Sequence, residues 1–310
     1  MPGILVYSDN NKLAAELLTA ARHIDQAINS GVGVITINKE DQSAEMEQYG
    51  ANVYQINNSE TLIADTAAIA DLLQQASAKL AGKVILLSSD RRGKELAGRL
   101  AQKLESGCLN DVSGLQVDDG KIYCTRNSLG GAVVTTQSIM SEHMVIALAS
   151  RAFAMATASA GGSVQELAVE PPEKTVKLLD TKSKAGNEVD ISEAEVLVIV
   201  GQGVEQEAIV NAESIASKLG GEVACSKPVA TDKKWLPEDR IIGLSGKKCK
   251  PQLAVILGIS GQVQFTVGIR DAVKIIAINN DENAYILQMA DYAMVGDANM
   301  ILSELEQKLG

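Results

Sequence analysis

Apolar and polar positions along this chain switch between two spacings, and the switches predict strand and helix in turn. Residues 4–8 form a short apolar run of the buried-strand kind. Residues 13–28 repeat apolar positions at the spacing of an amphipathic helix, and 32–37 return to an apolar run. The same reading predicts strands at 50–56 and 84–88 and helices at 62–78 and 91–104. Strands alternating with helices make a parallel sheet covered by helices, because each crossover returns along a sheet face. From 114 to 136 the pattern becomes short polar-apolar alternations broken by Asp118-Asp119-Gly120 and Gly130-Gly131, which predicts an antiparallel excursion. Residues 144–149 resume the buried-strand pattern.

Between 158 and 193 the periodicity stops. Gly161-Gly162, Pro171-Pro172 and a polar run over 181–190 give a linker-like composition that cannot hold a core of its own. The expected division is a domain at 1–190, including a linker from about 158, and a second at 191–310. The second reads as strands at 195–200, 222–225, 252–257 and 272–278, with helices at 206–219 and 299–309. The predicted fold class is therefore α/β, with two domains, each a mainly parallel sheet flanked by helices.

Most of the candidate chemistry lies in 253–281. The apolar run 253–257 passes directly into Gly258-Ile259-Ser260-Gly261, and a second apolar run, 275–278, ends in Asn279. Small residues at such a turn let a dinucleotide approach the backbone. Unpaired N–H groups and the positive end of the following helix then face its phosphates. Asn279, at a strand end, offers an amide to a ribose or base. Gly201-Gln202-Gly203 also follows a strand and begins like a dinucleotide fingerprint, but its third glycine is missing. Taken alone, it reads first as a tight strand-to-helix turn. The segment Ser88-Ser89-Asp90-Arg91-Arg92-Gly93-Lys94 either caps a helix or binds an anion, and the cap is the simpler reading. No Gly-x-Ser-x-Gly elbow, His-Glu-x-x-His or Walker loop occurs.

Composition narrows the partners. The 310 residues are 46% hydrophobic, enough for large cores, but only 3% aromatic, which leaves few rings for stacking bases or sugars. A net charge of -11 argues against nucleic acid or an anionic membrane. Cys108, Cys124, Cys225 and Cys249 stand far apart, which predicts free thiols in a reducing compartment. The start, MPGILVYSDNN, has no basic segment before its apolar stretch, and nothing later approaches the roughly 20 apolar residues a membrane span needs. The expectation is a cytoplasmic protein without membrane insertion.

Read in order, VLVIVGQG, VACSKPVA, RIIGLSG, LAVILGISGQVQF, IIAINND and ADYAMVGD resemble the C-terminal domain of the alpha subunit of electron transfer flavoproteins. The N-terminal half is similar through SSDRRGKELAGRLAQKL, Asn110-Asp111-Val112 and the Gly130-Gly131 region. The resemblance implies a Rossmann-like C-terminal domain that binds FAD, an N-terminal domain that packs on a beta subunit, and electron transfer between a flavin dehydrogenase and an acceptor. Carried over by position, Ser245, followed by Gly246, would reach flavin N5. Ser226 and Lys227 would border the isoalloxazine and phosphates, and Gln264 the ribityl and pyrophosphate region. Gly258, Ile259, Ser260 and Gly261 would hold phosphate, and Asn279 and Asp297 would meet the adenosine end, which implies FAD and not FMN.

Four departures from the family pattern share a direction. Gln202 and Lys227 stand where relatives have Arg, Phe265 where they have His, and Asn280 where they have Lys. A less cationic site is expected, with bidentate geometry lost at Lys227 and Phe265 packing on the flavin without a hydrogen bond. Fewer cations would lower the flavin potential. A nucleotide-binding or scaffolding paralogue without FAD remains the alternative.

Overall fold

The computed structural model describes residues 1–131, 133–173, 175–180 and 190–309. The chain forms two compact units, residues 1–181 and 182–310. The expected boundary at 190 adjoins residues 181–189, which lie outside the described residues.

In the first unit the elements are β1 (Ile4–Tyr7), α1 (Asn11–Ile28), β2 (Val32–Ile37), α2 (Glu40–Gln48), β3 (Asn52–Ile56), α3 (Thr66–Leu80), β4 (Val84–Ser88), α4 (Arg91–Lys103), β5 (Gly107–Asp118), β6 (Lys121–Ser128), β7 (Val133–Gln137), β8 (Met144–Leu148) and β9 (Ser163–Glu166). They build one nine-stranded sheet in the order β7-β6-β5-β8-β4-β1-β2-β3-β9. It is parallel except where β6 pairs with β5 and β7. Side chains of one strand alternate between its faces. Ile4 and Val6 therefore enter one core with Leu17, Leu18 and Ile24 of α1, while Leu5 and Tyr7 enter another with Ile69, Leu72 and Leu73 of α3. A sheet buried on both faces needs continuous apolar strands, and 4–8, 32–37 and 84–88 read that way.

Two elements of this unit escape the hydrophobic pattern. Helix α2, EDQSAEMEQ, has almost no apolar stripe, and its buried residues are Gln42, Ser43 and Met46. Strand β9 lies inside the segment read as linker and adds to β3 in parallel, with Asn52 opposite Ser163 and Gln55 opposite Glu166. The chain after β9 stays tied to the unit. The Gln75 side-chain amide donates to the carbonyl of Glu170 and accepts from its N–H. Asp65, 3% exposed, caps α3 through Ala68 N and accepts from Thr175 N, Thr175 Oγ1 and Val176 N at 2.8, 2.6 and 3.0 Å. Burial alone would raise its pKa, but these bonds outweigh it and hold the carboxyl below its ordinary value.

The second unit contains β10 (Val196–Val200), α5 (Ile209–Lys218), β11 (Glu222–Cys225), α6 (Lys227–Thr231), β12 (Leu253–Leu257), α7 (Val263–Thr266), β13 (Lys274–Asn279), α8 (Tyr285–Met289), β14 (Tyr292–Val295) and α9 (Ala298–Lys308). Its five strands are all parallel, in the order β11-β10-β12-β13-β14. Val198, Val200, Val255 and Leu257 face one core, and Leu197, Ile199, Ala254 and Ile256 the other. Strand β14 is exposed along its length, so it carries no buried-strand signal in the sequence. No described helix is long and apolar enough to cross a membrane.

Candidate functional site

In an open parallel sheet, ligands bind outside the carboxyl ends of the strands, where the chain order reverses. In the second unit that point lies between β10 and β12. The two turns leaving these strands, Gly201-Gln202-Gly203 and Gly258-Ile259-Ser260-Gly261, interlock there. Gly201 N donates to Leu257 O, and Gly203 N donates to Gly258 O at 3.0 Å. Gly258 has a φ of +64°, and a Cβ on Gly201 would lie 2.2 Å from the Gly258 carbonyl oxygen. Only glycine allows both the left-handed backbone and the close approach.

The second turn presents donors. No protein acceptor takes the N–H groups of Ile259, Ser260, Gly261 or Gln262 among the described residues, while Gly258 N is used on Ile278 O. Four consecutive unpaired amides at a switch point suit an anion. The helix behind them corrects the sequence expectation. Helix α7 has only four residues, too few for a strong dipole, so the local N–H groups supply the field.

The other expected residues fall around the turns in different ways. Ser226 follows β11, its N–H donates to Val200 O, and its hydroxyl has no partner among the described residues. Lys227 opens α6 and is exposed. Residues 243–246 reach α7 through Leu244 N, which donates to Gln264 O at 2.8 Å, leaving Ser245 exposed next to Gly246. The Gln264 side chain is also exposed. Sheet and turns thus bring Gln202, Ser226, Lys227, Ser245, Gly246, Gln264 and the glycine turn to one edge.

Three residues do different work from that expected. Phe265 is 7% exposed and packs in the core with Ile242, Ile256, Ile259 and Ile269, because neighbours on a helix point about 100° apart. It is a core residue beneath the site. Asn279, 6% exposed, donates through Nδ2 to Ile259 O at 2.7 Å and accepts from Asp281 N, so its amide fixes the glycine turn. Asp297 caps α9 through Asn299 N and Met300 N. Ile259 joins the core with its side chain and offers only its N–H. Next to Ser226, burial first and Asp239 second push the Cys225 thiol up to about 12, against the opposing effect of Arg240, which leaves it protonated and unreactive.

One residue that the sequence reading missed joins the site. Lys233 Nζ donates to the Gln202 carbonyl at 3.1 Å and lies 3.9 Å from the Trp235 ring centroid. It comes from the loop after α6, outside every glycine motif, so no local pattern points to it.

The first unit has its own switch point, between β1 and β4. Ser8 Oγ bonds to Ser88 Oγ, Arg92 pairs with Asp9, and Asn10 and Asp90 cap α1 and α4. The segment from Ser88 to Lys94 is thus a helix cap. A shallow hollow there is lined by Tyr7, Ser8, Asp9, Thr66, Ser88 and Arg92 with apolar neighbours, and its polar groups are mostly spent on each other.

Residues 6–172 match the family described as the electron transfer flavoprotein domain, and 190–270 match the electron transfer flavoprotein FAD-binding domain. Protein FixB of Escherichia coli O157:H7 is 35% identical over 313 residues, covering 99% of this chain and 97% of its own. Protein FixB of Salmonella typhimurium is 34% identical over 312 residues, with the same coverage. A thiamine diphosphate-dependent 4-hydroxybenzoylformate decarboxylase from Rhodococcus jostii aligns at 12% identity and a TM-score of 0.24. The alignment covers 99% of this chain and 59% of that one, too loosely to bear on the fold. With sequence similarity along the full length and a glycine-turn crevice inside the matching C-terminal segment, the chain belongs to the electron transfer flavoprotein alpha-subunit family.

Proposed function

We propose that the second unit holds FAD in the crevice between β10 and β12, and that the protein carries electrons without transforming a substrate of its own. The observation that carries this reading is the run of four unpaired N–H groups, from Ile259 to Gln262, at the switch point. These amides and the Ser260 hydroxyl hold the pyrophosphate. Asn279 keeps the turn in register from below, and the half-buried Ser226 with the exposed Ser245 and Gln264 bond to the isoalloxazine and ribityl parts. Bound FAD supplies the redox chemistry, and this chain's residues bind and orient it.

The residues 1–181 form the supporting unit, on which a beta subunit docks and completes the site. A flavin dehydrogenase and an electron acceptor are the redox partners. The four cysteines are free, which supports a reducing, cytoplasmic setting.

Purified with its beta subunit, the protein should be yellow and should bleach on reduction, and acid extraction should release FAD. A colourless complex that stays colourless after incubation with FAD sinks the reading. Recovery of FMN alone sinks the assignment of FAD as the cofactor.

A further inference from the structure

We propose that Lys233 is the phosphate-binding cation of this crevice, delivered to the β10 turn from a different element. The inference rests on the FAD reading above and deepens it by naming the residue that meets the cofactor's diphosphate.

The local chain explains how Lys233 gets there. Asp232 N and Lys233 N both donate to Pro228 O and end α6. Lys234 then takes a left-handed φ of +56°, and Trp235 N returns to Val229 O. This reversal lays the Trp235 ring against the core beneath β10 and β12, with the Lys233 ammonium over the ring and against the Gln202 carbonyl. A lysine held by a ring face and a carbonyl is fixed in place. An ammonium has three N–H donors. One meets the carbonyl and the ring faces the group from another side, so donor capacity remains.

Three other lysines of the unit differ, while Lys227 shares the lack of a carboxylate partner among the described residues. Lys218, Lys247 and Lys274 pair with Glu306, Asp190 and Asp291 respectively. Lys233 has no carboxylate partner among the described residues. An ammonium without a carboxylate partner therefore sits on the turn that interlocks with Gly258. Freely rotating donors on a point charge suit a diphosphate. The crevice is less charge-poor than its motifs suggest, because one of its cations comes from outside them.

The experiment titrates FAD into cofactor-stripped complex, alpha with beta, for the parent, Lys233→Met, Lys233→Arg and Lys218→Met across a range of KCl concentrations. Lys233→Met should weaken binding tenfold or more and flatten its salt dependence. Lys233→Arg should restore most of the affinity, and Lys218→Met, with the same change in net charge, should match the parent. Fluorescence of Trp235, the single tryptophan, reports in each apo-protein whether the loop keeps its place. Parent-like affinity and salt slope in Lys233→Met overturn the proposal. So does equal weakening by Lys218→Met, or weakening with an unchanged salt slope and no rescue by arginine. A parent that binds no FAD sinks the functional reading itself, which is a different failure.

Discussion

The protein contains two mainly parallel sheets with a switch point each, and the two crevices treat their polar groups in opposite ways. Between β1 and β4, Ser8 is spent on Ser88, Asp9 on Arg92, and Asn10 and Asp90 on helix ends. Between β10 and β12, the amides of Ile259 to Gln262, the hydroxyls of Ser226 and Ser245, and the charge of Lys233 stay open. Polar groups held out of reach of partners cost stability unless water or a ligand takes them. The same architecture therefore closes on its own side chains in one unit and leaves donors open in the other.

The largest effect should come from breaking the second crevice at its tightest point. Gly258→Ala puts a side chain on a φ of +64° and a Cβ within 3.0 Å of the Gly203 backbone. The left-handed conformation alone costs about 1–2 kcal/mol, and the clash would prise the two turns apart. Cofactor content, read as the ratio of flavin to protein absorbance, should fall close to zero. Retention of parental FAD would mean that the turns need not interlock.

Phe265→His separates a site residue from a core residue. A buried imidazole without a partner should cost about 1–3 kcal/mol, seen as a lower unfolding midpoint in urea. The flavin potential should not rise, since the position faces the core. A raised potential with unchanged stability would put Phe265 back against the cofactor.

Asp65→Ala probes what the closed unit does with its satisfied groups. Loss of the α3 cap is worth about 1 kcal/mol, and the amides of Thr175 and Val176 should lose protection in hydrogen exchange. The pH dependence follows from the direction of the shift. A carboxyl whose folded pKa is depressed contributes stability above its unfolded pKa and loses it as the pH falls through the folded value. Acid should therefore release the 175–176 segment in the parent and make no further difference in Asp65→Ala. Unaltered protection at both amides in the variant would show that β9 alone holds the segment.

The smallest effect should follow Arg92→Ala in the closed crevice. A partly exposed ion pair contributes roughly 0.2–1 kcal/mol, and FAD content should not change. A loss of FAD in this variant would mean that the two crevices are not independent, which would break the comparison at its base.

Local pattern carried much of this. The apolar runs 4–8, 32–37, 84–88 and 253–257 announce central parallel strands because both faces of such strands are buried. GISG announces its turn because its first position needs glycine, with a positive φ and the Gly203 backbone close by. By contrast, α2 and β9 are polar segments held by neighbours already folded, and β14 is exposed along its length. Asn279 illustrates a subtler limit. Its place at a strand end is readable, but which carbonyl its amide meets depends on a turn 20 residues away.

What the sequence determined by itself is therefore whatever depends on spacing along the chain: two α/β units, the central strands, the glycine turn after β12 and the family it belongs to. Only the tertiary structure decided which groups remain open. It turned Phe265 into the core, spent Asn279 on Ile259, closed one switch point with its own serines, and carried Lys233 to Gln202 across 31 positions of chain. Pairing of polar groups is settled by residues distant in sequence that meet in space, and no local period records those meetings.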